Sequence, residues 1–579
     1  MMCRSAALTT ALLLAPTIAQ DRLPPFRFVP ADSTLVARIA LPARWQQQFE
    51  KTLFAKLLAS ESVAKLVALG RAEVDRPITA MRENGDAALA DGLQHLLTGH
   101  RGELVFAVHC DIAKLVQALA AREVPRFHGS LTLVGDGVSD LAPLAAALTA
   151  LTEATEATSL RDLTIADRPF RAGTARDGIT VTMPALIDGS LVMLFGTDLE
   201  QHGARLLATE DRLAGDTDSP FWLRGDLRAA GPALAQQLAD RAKEEGLPFD
   251  GAKLAQDLGI TAPQAMTLWV RPDGEHMQIE AALDLAAGDH GVFDLMPVDA
   301  DAPRLLRYLP AGSDAFSTAP ISLTKAYELT NLVFAAMGDD APMPFDAAMA
   351  AFADATKVRL KEDLLDHLGT GLMIVQEIDD QTDLDAIEES IDDNPLGAAL
   401  SGCYAMSLRN GKAFGESLEK LLRARGLHAT RKSEDYQDVK IHRLRLAGLI
   451  QLEYVVLDDM LLVATGVTEA QGALLRGIVD ARKNGDGSLP KAAKAHVEAL
   501  PQGWTGLSVS PMGRVLRNLG TTLMTLEQRG GEIEDLPAEG AAILRAVSTL
   551  GADLERVGLG SMAASMHKEP RRLAFRWHW

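Results

Sequence analysis

Ser-x-x-Lys pairs offer the first chemistry, among them Ser62–Lys65, Ser322–Lys325 and Ser417–Lys420. On a helix this spacing sets an ammonium one turn from a hydroxyl, as in acyl-transfer enzymes that use the lysine to activate the serine. Those enzymes also need Ser-Asp-Asn and Lys-Thr-Gly elements, and neither occurs. Gly558-Leu559-Gly560-Ser561-Met562-Ala563 has glycine spacing that cradles a dinucleotide pyrophosphate. That use requires a strand before and a helix after, whereas a strand-like stretch follows. His95 and His100 are five apart, off one helical face, and carry no carboxylate pattern. His95 and His367 each follow a helical stretch ending near a glycine, where an imidazole favours the helix C-terminus. Cys110 beside His109 lacks metal-ligand spacing.

The densest set of possible ligands is acidic. Between Glu377 and Asp393 stand nine carboxylates and no basic residue. Asp379, Asp380, Asp383 and Asp385 are the candidate ligands for a hard cation such as Ca²⁺. The run lacks the glycine at the sixth position and the glutamate at the twelfth that complete a calcium loop, so it reads as a solvated face that binds cations weakly at most. No cofactor is expected.

The amino terminus states a compartment. Arg4 precedes an apolar stretch from Ala6 to Ala15, Pro16 ends it, and Thr17-Ile18-Ala19 places small residues before a cut at Gln20. This is the pattern of a secretory signal over residues 1–19. The stretch is shorter than the ~20 apolar residues that span a bilayer, and no later run matches one. Processing removes Cys3 and leaves Cys110 and Cys403, 293 positions apart. An oxidising compartment permits them to pair, but sequence does not place them within bridging distance, and two separate buried thiols is the simpler reading.

The chain has 579 residues, 47% hydrophobic and 23% charged, with a net charge of −21. These are globular proportions for roughly two to four domains. The acidic balance disfavours nucleic acid and anionic membrane surfaces. Aromatic residues at 5% are too few for base-stacking platforms.

An ordered internal repeat organises the elements. Phe28-Val29-Pro30-Ala31-Asp32-Ser33 returns 280 positions later as Tyr308-Leu309-Pro310-Ala311-Gly312-Ser313. Apolar strands at 103–109, 129–134 and 186–193 match 372–376, 402–408 and 456–463 in the same order, each half adding helices at 198–209 and 468–481. Strands arrive in adjacent pairs with turn residues between them, which points to antiparallel hairpins. The expected fold is α+β: two tandem repeats over 20–299 and 300–579, each a mostly antiparallel sheet with helices covering one face.

The start Val29-Pro30-Ala31-Asp32-Ser33-Thr34-Leu35, its weaker copy Leu309-Pro310-Ala311-Gly312-Ser313, and the step Leu368-Gly369-Thr370-Gly371 before a strand resemble a family of secreted bacterial proteins built around an uncharacterised domain of unknown function. Gly312 departs from the acidic residue of that pattern. The resemblance implies export and no active site.

The expected protein is thus exported to the periplasm or exterior, a monomer or weak homo-oligomer with a non-enzymatic binding or structural role toward another protein or an envelope component. The alternative is a hydrolase-type enzyme with its site assembled from dispersed residues between the repeats. The enzyme requires convergent polar groups of perturbed pKa, and the binding module an exposed apolar patch.

Overall fold

The computed structural model describes residues 26–40, 49–60, 78–83, 103–121, 126–134, 158–174, 178–207, 213–298, 301–338, 341–376, 402–446, 450–465, 469–484, 491–498, 503–518 and 549–578, together with 63, 87, 90 and 91 and apart from 27, 189, 198, 214, 217, 311 and 342. The chain forms two compact units, one of residues 1–234 with 263–283, the other of 235–262 with 284–579. Both combine helices with antiparallel strands.

The first unit contains β1 (Leu35–Ala40), β2 (Glu103–Cys110), β3 (Phe127–Val134), β4 (Thr158–Ile165), β5 (Arg168–Thr174), β6 (Thr180–Thr182), β7 (Ala185–Ile187), β8 (Ser190–Gly196), β9 (Phe221–Asp226), β10 (Pro263–Asp273) and most of β11 (His276–Leu285). Pairing runs β10–β9–β1–β2–β3–β8–β6–β5–β4, antiparallel throughout. The short β7 also pairs with β8. Met183-Pro184 separates it from β6, because proline has no N–H to continue a ladder. Of the helices, α1 (Ile112–Ala121) follows β2, and α2 (Leu199–Leu207) follows β8. Leu199, Leu206 and Leu207 of α2 close a core with Phe28, Ile165, Phe170, Val192 and Leu194. Fully burying one such side chain contributes roughly 1.5–3 kcal/mol.

The second unit contains β12 (Ala315–Pro320), β13 (Leu368–Gln376), β14 (Gly402–Leu408), β15 (Lys432–Tyr436), β16 (Val439–Leu446), β17 (Ile450–Val456), β18 (Met460–Thr465), β19 (Gly506–Ser510), β20 (Met562–Glu569) and β21 (Arg572–His578). Its order is β21–β20–β19–β12–β13–β14–β18–β17–β16–β15, again antiparallel. Its main helices are α3 (Leu323–Met337), α4 (Phe345–Thr356), α5 (Gly411–Ala424) and α6 (Glu469–Asn484).

Helices cover both faces of this sheet, which corrects the expectation of one. Successive strand residues face opposite ways. Cys403 and Ala405 of β14 and Met460, Leu462 and Ala464 of β18 meet Leu475, Ile478 and Val479 of α6. The alternate residues Met406, Leu408 and Leu461 meet Phe414, Leu418 and Leu421 of α5. Both parities of these strands are apolar because both are covered.

The same pair of turns precedes β1 in the first unit and β12 in the second. Val29 N donates to Phe26 O and Ser33 N to Pro30 O, both at 3.1 Å. Leu309 N donates to Leu306 O at 3.1 Å and Ser313 N to Pro310 O at 3.0 Å.

Candidate functional site

The least buried apolar element of the second unit is α3. Its sequence, Leu323 to Met337, carries only Lys325 and Glu328 as charged residues. Ser322 caps it, accepting from Lys325 N at 3.2 Å, and Gly338 ends it at φ +55°, a conformation that suits glycine. Phe345, the first residue of α4, is buried between two α3 rings, 5.0 Å from Tyr327 and 5.5 Å from Phe334. That wedge fixes α4 on α3. Yet no side chain of this 15-residue helix is fully buried. Val333 and Met337 lie one turn apart on one face and are 40% and 38% exposed; Met343, leading into α4, is 46% exposed. Single exposed apolar residues are ordinary, but an apolar helix with no buried side chain is not.

Charged groups of both signs, Asp346, Lys361 and Glu362, stand near Tyr327 of α3. Burial raises the Tyr327 hydroxyl above its ordinary value, and the nearby carboxylates of Glu362 and Asp346 raise it further. Lys361 is held by Asp366 at 3.1 Å, and Glu328 and Glu362 stand close enough to favour its charged form too.

Two polar constellations test the enzymatic alternative. In the second unit the Lys568 ammonium is buried 3.4 Å from Phe293 O and 3.9 Å from Asp294 Oδ1. Burial pulls it below the ordinary lysine value, and Asp294 opposes this. His290 sits beside them, but both ring nitrogens are committed, Nδ1 3.2 Å from Asp294 Oδ1 and Nε2 2.7 Å from Ala286 O. The set is packed rather than open to a substrate. In the first unit, His109, His128 and His202 stack ring on ring, with centroids 4.8 and 4.5 Å apart. Among the described residues no group of three His, Cys, Asp or Glu has the geometry to hold a metal ion.

The residues singled out by sequence fall as follows. Ser322 is the α3 cap, and Lys325 turns away to Asp289 at 3.1 Å. Ser417 is buried in α5 while Lys420 is exposed. Ser62, His95, His100, Asp379, Asp380, Asp383 and Asp385 lie outside the described residues. His367 ends a short 3-10 turn, its carbonyl accepting from Arg409 N at 2.8 Å. After Gly558-x-Gly560 comes β20, not a helix. Cys110 and Cys403 are free thiols, one in each unit. Burial raises both, Cys403 to about 12; for Cys110 a bond from Thr34 opposes the rise. Sequence reasoning missed the α3–α4 face and the histidine stack. The low charge of 323–337 was a readable signal for the first; the stack depends on strand register, which the sequence does not display.

No protein-family model matches the chain, and no curated protein matches it. Among solved structures it is similar to crystal forms I, III and IV of TP0453, at 9–11% identity. The alignments cover 45–47% of this chain and 81–83% of those chains, with a TM-score of 0.21. A similarity of that score carries no argument about fold or role.

Proposed function

We propose that the protein is an exported, non-enzymatic binding protein of the bacterial envelope or exterior, built as a tandem duplication. In this reading it receives an apolar, basic-flanked segment of a partner protein on α3 and α4. The observation that carries the reading is the 15-residue apolar α3 with no buried side chain and with Val333 and Met337 exposed, while Asp346 and Glu362 stand near its Tyr327. Apolar anchors with an oppositely charged rim are how helical grooves take amphipathic segments. The same acidity argues against an anionic lipid surface.

The duplication has its own support in register. Val36, Ala107, Ser130 and Leu194 stand side by side across β1, β2, β3 and β8. Phe316, Val375, Cys403 and Ala464 do so across β12, β13, β14 and β18. From Val36 to Phe316 is 280 positions, from Ser130 to Cys403 is 273, and from Leu194 to Ala464 is 270. Those offsets equal the ones at which the turn motif and the strands at 129 and 186 recur in the sequence. Export and the resemblance to secreted bacterial proteins complete the reading.

The test uses two amphipathic peptides of about 18 residues with the same leucine face, one flanked by lysines and one by glutamates. Fluorescence anisotropy should show the lysine-flanked peptide binding at least about tenfold more tightly. Val333→Glu with Met337→Glu should remove that binding. Equal affinity for both peptides, or binding untouched by the double substitution, overturns the proposal. So does capture of anionic vesicles that depends on Val333 and Met337, which would assign the face to lipid.

A further inference from the structure

The last strand of the second sheet, β15, is held down with little apolar packing. Lys432, Ser433, Glu434 and Asp435 are exposed, and only Tyr436 is half-buried, its ring packed against the core that α6 closes. Toward the sheet, β15 has its backbone ladder to β16 and Ser433 Oγ 2.7 Å from His442 Nδ1. Its other contacts go to α6. Arg476 Nη2 pairs with Glu434, while Nη1 donates to Gly472 O at 2.9 Å and reaches Glu453 of β17 at 3.3 Å. Asp480 accepts from the Tyr436 hydroxyl through both carboxylate oxygens, at 3.0 and 2.9 Å, and from Gln437. Lys483 pairs with Asp438 at 2.9 Å.

These contacts form a ladder because the two periodicities match. Positions 476, 480 and 483 fall on one face of α6 and rise about 10 Å from first to last. Glu434 and Tyr436 share one face of β15, Asp438 follows in the turn, and the three span about 13 Å. The rungs come in the same order on both elements: 476 with 434, 480 with 436, 483 with 438. Two rungs are ion pairs. The third sets a hydroxyl on a carboxylate, and that bond raises the Tyr436 hydroxyl above its ordinary value. Lys483 and Asp438 are both exposed, so dissolved ions reach the outermost rung.

We infer that residues 432–438 form an ionic strap: the ladder to α6 closes it, and screening by dissolved ions lets it open while the rest of the sheet stays folded. A single exposed pair contributes little, and a strand anchored by buried side chains would scarcely register the loss of three. β15 buries no side chain, so the rungs decide whether it stays down. Opening makes β16 the edge strand. Ile441 of β16, 2% exposed with the strap closed, stands directly opposite Glu434 and would lose that neighbour.

The test is hydrogen–deuterium exchange of the full chain at one pH, comparing residues 432–438 at about 0.02 M and about 0.5 M sodium chloride. Protection of this segment should fall at least about threefold at the higher salt, while β13 and β14 keep theirs. Asp438→Lys sets like charges against each other at the outer rung and should open the strap at low salt. Lys483→Glu should do the same, and the two substitutions together should close it again. Protection that does not respond to salt overturns the strap, as does a charge-swapped double variant no better protected than either single one.

Discussion

Arg38 and Glu103 are the sharpest place to test the energetics. They sit on paired strands β1 and β2, with side chains 1% and 9% exposed. The pair is bidentate: Arg38 Nε donates to Glu103 Oε2 at 3.1 Å and Nη2 to Oε1 at 2.9 Å. The guanidinium also donates to Ser219 O at 2.6 Å and Asp216 O at 3.3 Å. Glu103→Ala would leave the buried cation without this carboxylate. Removing one partner of a buried pair costs about 3–5 kcal/mol. With a urea slope of about 2 kcal/mol per molar, the midpoint should fall by about 2 M. Trp222 is the direct β9 partner of Arg38, so tryptophan fluorescence reports on this neighbourhood. Because the chain has two units, the unfolding curve is to be read as up to two transitions, and only the one reported by Trp222 should shift. Arg38→Met with Glu103→Leu should restore most of the loss, since an apolar pair of similar volume needs no charge compensation. A loss below about 1 kcal/mol for Glu103→Ala would refute the view of this pair as buried and mutually dependent.

Two further outcomes follow from side chains already described. The Cys403 thiol, buried and raised to about 12, should resist a thiol reagent in the folded protein and react once urea unfolds the chain; labelling at the rate of an exposed cysteine would contradict its placement. His442, packed 5.0 Å from the Tyr454 ring, is held below the ordinary histidine value first by burial and then by Arg431. A histidine lowered in the fold is charged first in the unfolded chain. Its contribution is therefore complete above about pH 6.5 and lost as pH falls below it. Urea midpoints should drop from about pH 7 to about pH 5.5, less steeply in His442→Phe, and a rise with acid would reverse the sign argued here.

Where one face of a strand is apolar or a glycine ends a helix, sequence was a good guide. The strand at 402–408 falls where its apolar residues place it, and the helices expected near 198–209 and 468–481 are α2 and α6. The two-residue turn Gly274-Glu275 joins β10 to β11. The hairpins β4–β5 and β15–β16 were not legible, because strands such as Lys432–Tyr436 carry charge at most positions and bury no side chain. The second helical layer escaped notice although the unbroken apolar run Met460–Ala464 marks a strand covered on both sides. The low charge of α3 was readable, but a helix with few charges also reads as core, and packing is what shows Val333 and Met337 exposed.

Those charged outer strands have a consequence for how the sheet ends. Among the described residues, β15 pairs only with β16, so its far edge offers backbone donors and acceptors to any passing strand. Such an edge is a template for runaway polymerisation. Lys432, Glu434 and Asp435 put charges of both signs on that strand, which an incoming strand must desolvate or oppose. The chain carries its own gatekeepers there. Their cost is an outer strand, β15, that buries none of its residues, and their return is a sheet that stops growing at its own end.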